Sequence, residues 1–150
     1  NIGGNILAFG KHGERNWIVG IQNPRRPNAL ATINLRPGWA IGTSGDYQRF
    51  IMVNNQRYSH LINPKTGYPE NKTQSATILI PPSENSGVLS DVFSKPLFIA
   101  NTKNKINMAK LLNIEYFLII MDDGSILISE SFNKKINWEE DLDKKNITIF

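Results

Sequence analysis

The sequence predicts an α+β domain, in which an antiparallel-rich β-sheet carries two helices packed on one face. Three observations lead to this prediction. The chain of 150 residues is about the length of one domain. Its first half contains short alternating apolar runs separated by Gly, Pro and Asn turns. Its second half changes to a helical period and then ends in further strand-like runs.

Turn residues delimit the strands of the first half. Asn23-Pro24 ends one strand, Arg36-Pro37-Gly38 ends the next, and Pro81-Pro82 ends the last. Asn54-Asn55 joins two strands into a hairpin, because asparagine tolerates a positive φ. The predicted strands are 1–9 (entered through Gly3-Gly4), 16–22, 29–35, 39–43, 49–53, 56–62 and 75–80.

The second half predicts two helices and a hairpin. Residues 88–100 are apolar enough for a buried helix, although Pro96 lies inside it. Residues 103–112 repeat apolar positions on one helical face, with Thr102 placed to cap them. Strands at 116–121 and 125–129 flank Asp122-Asp123-Gly124, and the charged tail at 133–150 carries one late strand at 146–150.

Composition excludes several classes of protein. The chain has no cysteine, which rules out disulfides and thiolate metal sites. No apolar run approaches the roughly 20 residues of a membrane span. Residues 1–75 carry nine Lys/Arg against three Asp/Glu, and residues 76–150 carry eight against ten. This asymmetry favours a small anionic ligand near the first half, whereas nucleic acid is not expected, since basic helices and RNA-binding aromatic motifs are missing.

The segment YSHLINPKTGYP, at 58–69, contains the first candidate site. Pro64 fixes one φ and Gly67 permits a left-handed backbone, so this loop can direct backbone N–H groups and the Thr66 hydroxyl at an anion. His60, at its rim, can donate to an oxyanion or accept a proton. A tight turn beside an ordinary histidine is the alternative.

Two further segments carry polar groups suited to a ligand. The run from Gly42 to Asp46 offers two hydroxyls, two glycines and a carboxylate after a strand. On a helix, Asp91 and Lys95 share one face, with Ser94 close by. Asp91 can bind a hard cation through oxygen, or it can simply pair with Lys95 near a helix start.

Five segments occur together in a characteristic order: NIGGNILAFG, WIVGIQNP, TSGDYQRF, YSHLINPKTGYP and SDVFSKPLFIA. Over about residues 1–129 this succession resembles the C-terminal portion of the FAD:protein FMN transferases, the ApbE-type flavin transferases. The sharpest part is the pattern H-x-I-[DN]-P-x-T-G-x-P, which begins at His60. Family members are much longer than this chain, so the resemblance implies that the N-terminal half of such a domain is absent from it. Asn1 is not an initiator methionine, which indicates a cut inside a longer chain or a mature end.

The resemblance implies an activity and a setting. Such enzymes bind FAD, cleave its pyrophosphate with Mg²⁺ and transfer FMN to a threonine hydroxyl of an acceptor protein; some hydrolyse FAD to FMN and AMP. The implied fold is part of a larger α/β structure. Many relatives are bacterial lipoproteins of the periplasm, so a periplasmic location with a lipid anchor on the inner membrane is expected.

The resemblance also assigns roles by residue. His60 and Asp91 correspond to catalytic positions, His60 as an acid/base or phosphate contact and Asp91 as a metal ligand. Ser94 is a second candidate metal ligand. The residues expected to bind the cofactor are Gly3, Gly4, Thr43, Ser44, Gly45, His60, Asn63, Thr66, Gly67 and Lys95.

Three residues depart from the family pattern. Asn63 stands where the family usually has Asp, and Lys95 stands where a threonine should help to hold the metal. Pro96 follows at once, which disfavours helical geometry at its neighbour. Three interpretations stay open: a protein that binds flavin without transferring it, a Lys95 that neutralises the pyrophosphate itself, or a Ser94 that takes over as ligand. A β-rich interaction domain without a small ligand is the remaining alternative.

Overall fold

A computed structural model describes residues 1–139 and 146–150. Within those residues the chain forms eleven strands, three α-helices and one 3₁₀ turn. In chain order these are β1 (Ile6–Leu7), β2 (Trp17–Gln22), β3 (Ala29–Leu35), β4 (Ala40–Gly45), β5 (Phe50–Val53), β6 (Gln56–Ser59), β7 (Thr73–Ile80), α1 (Ser86–Ile99), the 3₁₀ turn (Thr102–Asn104), α2 (Lys105–Leu111), β8 (Tyr116–Met121), β9 (Ile126–Ile128), α3 (Glu130–Asn133), β10 (Ile136–Trp138) and β11 (Ile147–Ile149).

A six-stranded sheet forms the centre of the fold, in the order β1-β4-β7-β8-β9-β11. Its neighbours pair antiparallel except for β9 and β11, which are parallel. A three-stranded sheet, β10-β3-β2, and the separate hairpin β5-β6 complete the described strands. The predicted α+β class with an antiparallel-rich sheet is therefore confirmed.

The central sheet is buried on both faces, and strand β8 shows why. Successive side chains of a strand point to opposite faces. Leu118 and Ile120 of β8 join the core shared with the three-stranded sheet. Phe117, Ile119 and Met121 join the core shared with α1 and α2. The two predicted helices thus lie on one face of the central sheet, as expected.

Most predicted strands lie close to their observed bounds, but the first does not. In place of a strand over 1–9, Gly3 and Gly4 form a tight turn with φ of 59° and 97°. Backbone hydrogen bonds between Ile2 and Asn5 close this turn. Two consecutive positive φ values suit glycine and bend the chain, so the regular strand begins only at Ile6.

The helices differ from the prediction at their ends. Helix α1 continues through Pro96 to Ile99. Helix α2 begins later than predicted, because a 3₁₀ turn precedes it. Asn101, and not Thr102, is the cap, and it caps the 3₁₀ turn: its Oδ1 accepts from the Asn104 N–H at 3.1 Å. Helix α2 itself follows Asn104 without a side-chain cap. Asparagine and threonine are both good caps, so the sequence pattern alone did not distinguish adjacent positions.

Two short elements in the tail were not predicted. Helix α3 and strand β10 span four and three residues, too few to display a period. The predicted late strand is present as β11, whereas residues 140–145 of the predicted charged tail lie outside the described residues. No helix in the described part of the chain is long and apolar enough to cross a membrane.

One lysine lies in the interior beneath helix α1. Lys105 is 0% exposed, and its ammonium donates to the carbonyl oxygens of Leu97, Phe98 and Ala100 at 2.8–3.1 Å. It also donates to the Thr73 hydroxyl at 2.7 Å, which ties the start of β7 to the helix. Helix carbonyls at a C-terminus lack intrahelical partners, so Lys105 acts as a buried cap.

The charge of Lys105 makes stability depend on pH. Burial lowers the pKa of Lys105 from 10.5 to about 8. Between pH 8 and 10.5 the unfolded chain holds more protons at this residue than the folded one, so the free energy of unfolding rises as pH rises from 8 to 10.5. Below pH 8 the residue is protonated in both states, and its contribution no longer changes. We expect the stability difference between wild type and Lys105→Met to grow over this range in urea titrations. A difference that stays constant from pH 7 to 10 would contradict the lowered pKa.

Candidate functional site

A cleft of about 510 Å³ lies where six parts of the fold meet. They are the Gly3-Gly4 turn, the end of β2, the end of β4, the segment after β4, the residues that follow β6, and helix α1. The cleft brings together predicted site residues from distant parts of the sequence: Gly3, Gly4, Thr43, Ser44, Gly45, His60, Asp91 and Lys95.

His60 follows strand β6 and lies exposed at the cleft wall. Its backbone N–H donates to the Arg49 carbonyl at 3.3 Å, and its Nδ1 lies 3.0 Å from the same oxygen. A carbonyl oxygen only accepts, so Nδ1 carries the proton in the neutral ring and Nε2 is left as an acceptor. An imidazole held in this tautomer can take up a proton at Nε2.

Asp91 lies in a small polar cluster that lines the same cleft. Its Oδ1 accepts from the Asn5 amide at 2.6 Å and pairs with Lys95 Nζ at 2.7 Å. Lys95 Nζ also donates to the Asp91 carbonyl at 3.0 Å. The hydrogen bond from Lys95 lowers the pKa of Asp91, and the Asn5 amide adds to this effect. Asp91 is therefore a carboxylate at neutral pH.

The end of β4 is packed tightly against helix α1. Ser44 Oγ and Ser94 Oγ are 2.8 Å apart and buried, and Ser94 Oγ also lies 2.9 Å from the Asp91 carbonyl. Thr43 Oγ1 contacts Thr77 Oγ1 at 2.8 Å. These hydroxyls bind one another across strands and helix, so they fix the position of the cleft wall.

Gly42, one of the two glycines in the predicted run from Gly42 to Asp46, permits this close packing. A methyl group at Gly42 would overlap the Ser90 carbonyl and lie 2.6 Å from Asn5 Oδ1. We expect Gly42→Ala to destabilise the fold by about 1–3 kcal/mol, because forced overpacking shifts α1 away from β4. Urea denaturation measures this loss. Gly20→Ala is the control, since its methyl group would meet Ala29 at an ordinary 3.6 Å; equal stability of the two variants would contradict the prediction.

The loop after His60 does not line the cleft in this structure. The Asn63 carbonyl accepts from the N–H groups of Thr66 and Gly67 at 3.2 and 2.8 Å. The Asn63 side chain accepts from the Lys65 N–H, and the Thr66 hydroxyl accepts from the Tyr68 N–H. Gly67 adopts the left-handed conformation expected of it, with φ of 72°. The backbone N–H donors of Lys65, Thr66, Gly67 and Tyr68 are thus used within the turn. Phosphate contact by Asn63, Thr66 and Gly67 stays a prediction.

Residues that sequence reasoning missed also line the cleft. Arg49 lines the wall, and Tyr47 packs its ring against Gly45, where a methyl group would overlap the ring. Asn5 directs its amide at Asp91 and leaves its own Oδ1 buried without a hydrogen-bond partner. All three lie in segments that carry the resemblance, Asn5 in NIGGNILAFG and Tyr47 and Arg49 in TSGDYQRF. The contact of Asn5 with Asp91 spans 86 residues, so the sequence pattern did not show it.

The donors around Asp91 do not fit the Mg²⁺ ion that the resemblance implies. Magnesium prefers six oxygen ligands in octahedral array, usually including one or two carboxylates. Here the carboxylate is Asp91, and Lys95 and Asn5 already donate to its Oδ1. The Ser94 hydroxyl is buried against Ser44. Among residues 1–139 and 146–150, no group of three or more His, Asp or Glu side chains is placed to hold a metal.

Fold and cleft together define a class of protein: an α+β domain with a polar cleft whose charged lining favours an anion. A profile of the ApbE family matches residues 1–118, so the chain belongs to the ApbE family. An FAD:protein FMN transferase of Rhodobacter capsulatus is 32% identical over 93% of this chain and 26% of its own length. One from Haemophilus influenzae is 34% identical over 90% of this chain and 39% of its own length.

Solved structures show the same likeness. The ApbE protein of Thermotoga maritima superposes with a TM-score of 0.77 at 31% identity, covering 89% of this chain and 42% of that protein. The flavin transferase ApbE of Vibrio cholerae gives 0.68 at 29% identity, covering 90% and 43%. The chain spans less than half the length of these relatives, which agrees with the predicted match to a portion of the family's domain.

Proposed function

We propose that this protein binds FAD in the cleft and transfers its FMN part to a threonine hydroxyl of an acceptor protein. One observation carries the proposal: His60 and the Asp91–Lys95 pair line one cleft in a chain of the ApbE family. Relatives named FAD:protein FMN transferase support the choice of donor and reaction. The threonine acceptor rests on the family resemblance.

The proposed reaction exchanges one bond for another. The acceptor threonine Oγ attacks the phosphorus on the FMN side of the pyrophosphate and forms a phosphoester. The bond from that phosphorus to the bridging oxygen breaks, and this oxygen leaves on AMP. His60 Nε2 takes the proton of the threonine hydroxyl, as the tautomer set by Arg49 allows.

Positive charge in the cleft supports the binding of the pyrophosphate. Lys95 and Arg49 both line it, whereas Asp91 is the one carboxylate among its described lining residues. Cationic donors aimed at phosphoryl oxygens stabilise the charge that develops during transfer. Magnesium dependence remains a prediction from the resemblance; since the donors around Asp91 do not fit the ion, no step of the proposed reaction passes through a metal.

Two other outcomes share the same cleft. If water replaces the threonine hydroxyl, the products are FMN and AMP, and the protein is an FAD pyrophosphatase. If FAD binds without turnover, the protein is a flavin-binding homologue. The pairing of Asp91 with Lys95, which removes the carboxylate from metal binding, is the observation that favours this second outcome.

AMP release and flavin labelling separate these outcomes. The protein is incubated with FAD and a threonine-containing acceptor protein, AMP is measured by chromatography, and covalent flavin is read by fluorescence after denaturing electrophoresis. Transfer gives AMP and a labelled acceptor in equal amounts. An acceptor with Thr→Ala at the labelled site then shows no flavin fluorescence. AMP without label indicates hydrolysis, whereas binding without AMP indicates the flavin-binding homologue.

The cellular setting is also proposed from the resemblance alone. We place the protein in the bacterial periplasm, held at the inner membrane by a lipid anchor. Cell fractionation with detergent extraction tests this placement. Recovery of the protein from the cytoplasmic fraction would contradict it.

A further inference from the structure

The Lys95 ammonium occupies the place beside Asp91 where a cation would bind. Its Nζ lies 2.7 Å from Asp91 Oδ1 and 3.0 Å from the Asp91 carbonyl oxygen. Both acceptors belong to one residue, so the ammonium is held by a carboxylate and a main-chain oxygen together. Those are the oxygen types that a hard metal ion uses as ligands.

The ammonium also has a donor left for the proposed ligand. A lysine has three N–H donors, and the two contacts with Asp91 use two of them. Lys95 is about half exposed and lines the same cleft as His60. A third donor therefore stays available to a phosphate oxygen of a molecule in the cleft.

The net charge of the cleft also favours an anionic ligand bound without a metal ion. The charged groups of its described lining are Lys95, Arg49 and Asp91, which leave a net charge of +1 with His60 neutral. A divalent ion bound at Asp91 would stand next to the Lys95 ammonium and be repelled by it. The positive side chains of the cleft already compensate part of the charge of an anionic ligand without such an ion.

We propose that Lys95 is the cation that binds the pyrophosphate of FAD, so that this protein grips its nucleotide without a divalent metal. The proposal rests on the proposed function, because it takes FAD as the ligand of the cleft. Lys95 would replace the metal in binding, through a direct ammonium–phosphate contact held in place by Asp91 and Asn5.

The test measures FAD binding with and without magnesium. The intact protein is dialysed against EDTA, and FAD is titrated by the quenching of flavin fluorescence, in EDTA and then in excess Mg²⁺. We expect wild type to bind FAD with the same affinity in both, within about twofold. Lys95→Thr should bind at least about tenfold more weakly in EDTA and recover in Mg²⁺, because the threonine hydroxyl and the freed Asp91 can then hold the ion.

Two variants control for charge and for folding. Lys134→Thr is the matched control. Lys134, directly after α3, pairs with Glu130 at 2.7 Å with the same four-residue spacing, but it lies outside the cleft lining. This variant should bind FAD as wild type does. Lys95→Arg keeps the positive charge and should keep binding in EDTA. A further measurement uses the wild-type protein alone: its melting temperature should be unchanged by Mg²⁺.

The outcomes separate this proposal from the function on which it rests. Binding by wild type only in Mg²⁺, with Lys95→Thr equal to wild type, overturns the role of Lys95 and leaves the FAD-dependent function standing. A Mg²⁺-induced rise in wild-type melting temperature also overturns it. If wild type binds FAD under neither condition, the proposed function fails and this inference fails with it.

Discussion

Replacing His60 with glutamine is expected to lower the rate of AMP release by about 100- to 10,000-fold. Glutamine keeps the polar volume of the side chain but has no basic nitrogen to take a proton from the attacking hydroxyl. FAD affinity should change by less than about threefold, because the proposed contribution of His60 is to proton transfer and not to ground-state binding. Single-turnover rates and fluorescence titration measure the two quantities separately.

The chain offers a matched control for this experiment in its second histidine. His12 lies against Trp17, with ring centroids 5.1 Å apart, and is not part of the cleft lining. His12→Gln should therefore release AMP at the wild-type rate. Activity of His60→Gln within about threefold of wild type would exclude proton transfer by this residue and leave the transfer reaction without its base.

Replacing Lys105 with methionine is expected to cost about 2–4 kcal/mol of unfolding free energy at pH 7. Methionine fits the volume, but it removes the donor that Lys105 supplies to the carbonyls of Leu97, Phe98 and Ala100. The Phe98 carbonyl keeps the Thr73 hydroxyl as a donor at 2.8 Å. Loss of these contacts frees the C-terminal end of α1, the helix that carries Asp91 and Lys95. Urea denaturation gives the free energy, and the midpoint should fall at unchanged slope.

Lys110, an exposed residue of the same helix α2, provides the comparison. Lys110→Met should change stability by no more than about 0.5 kcal/mol, as surface substitutions usually do. If Lys105→Met were as stable as Lys110→Met, the buried ammonium would make no net contribution to the free energy of unfolding. The cost of its desolvation would then equal the stabilisation from its hydrogen bonds.

His60 and Lys105 act on different parts of one site, the first in its proposed chemistry and the second in the position of helix α1. The proposed base on the hairpin and the ion pair on α1 form a site only if α1 keeps its place against β4 and β7. Gly42 allows the close contact of α1 with β4, and Lys105 ties its C-terminal end to β7 through Thr73. Stability of this helix is therefore a condition for the geometry of the cleft.

The amino-acid sequence by itself determined the local structure. Strands β3 and β8 lie at their predicted bounds, because alternating apolar residues and flanking turn residues act over a few neighbours. The hairpin at Asn54-Asn55 formed as predicted, with φ of 49° and 60°. Family membership was also visible, since the order of the five segments is itself a property of the sequence.

Tertiary structure alone decided which of these local features meet. Asp91 takes its amide partner from Asn5, Ser94 takes Ser44, and Lys105 takes Thr73, contacts that span 86, 50 and 32 residues. It also left the loop of Asn63, Thr66 and Gly67 outside the cleft lining, although that loop carries the sharpest motif. The physical reason is that periodicity and turn chemistry fix the path of the chain locally, whereas the pairing of distant side chains depends on how the sheet and helix pack.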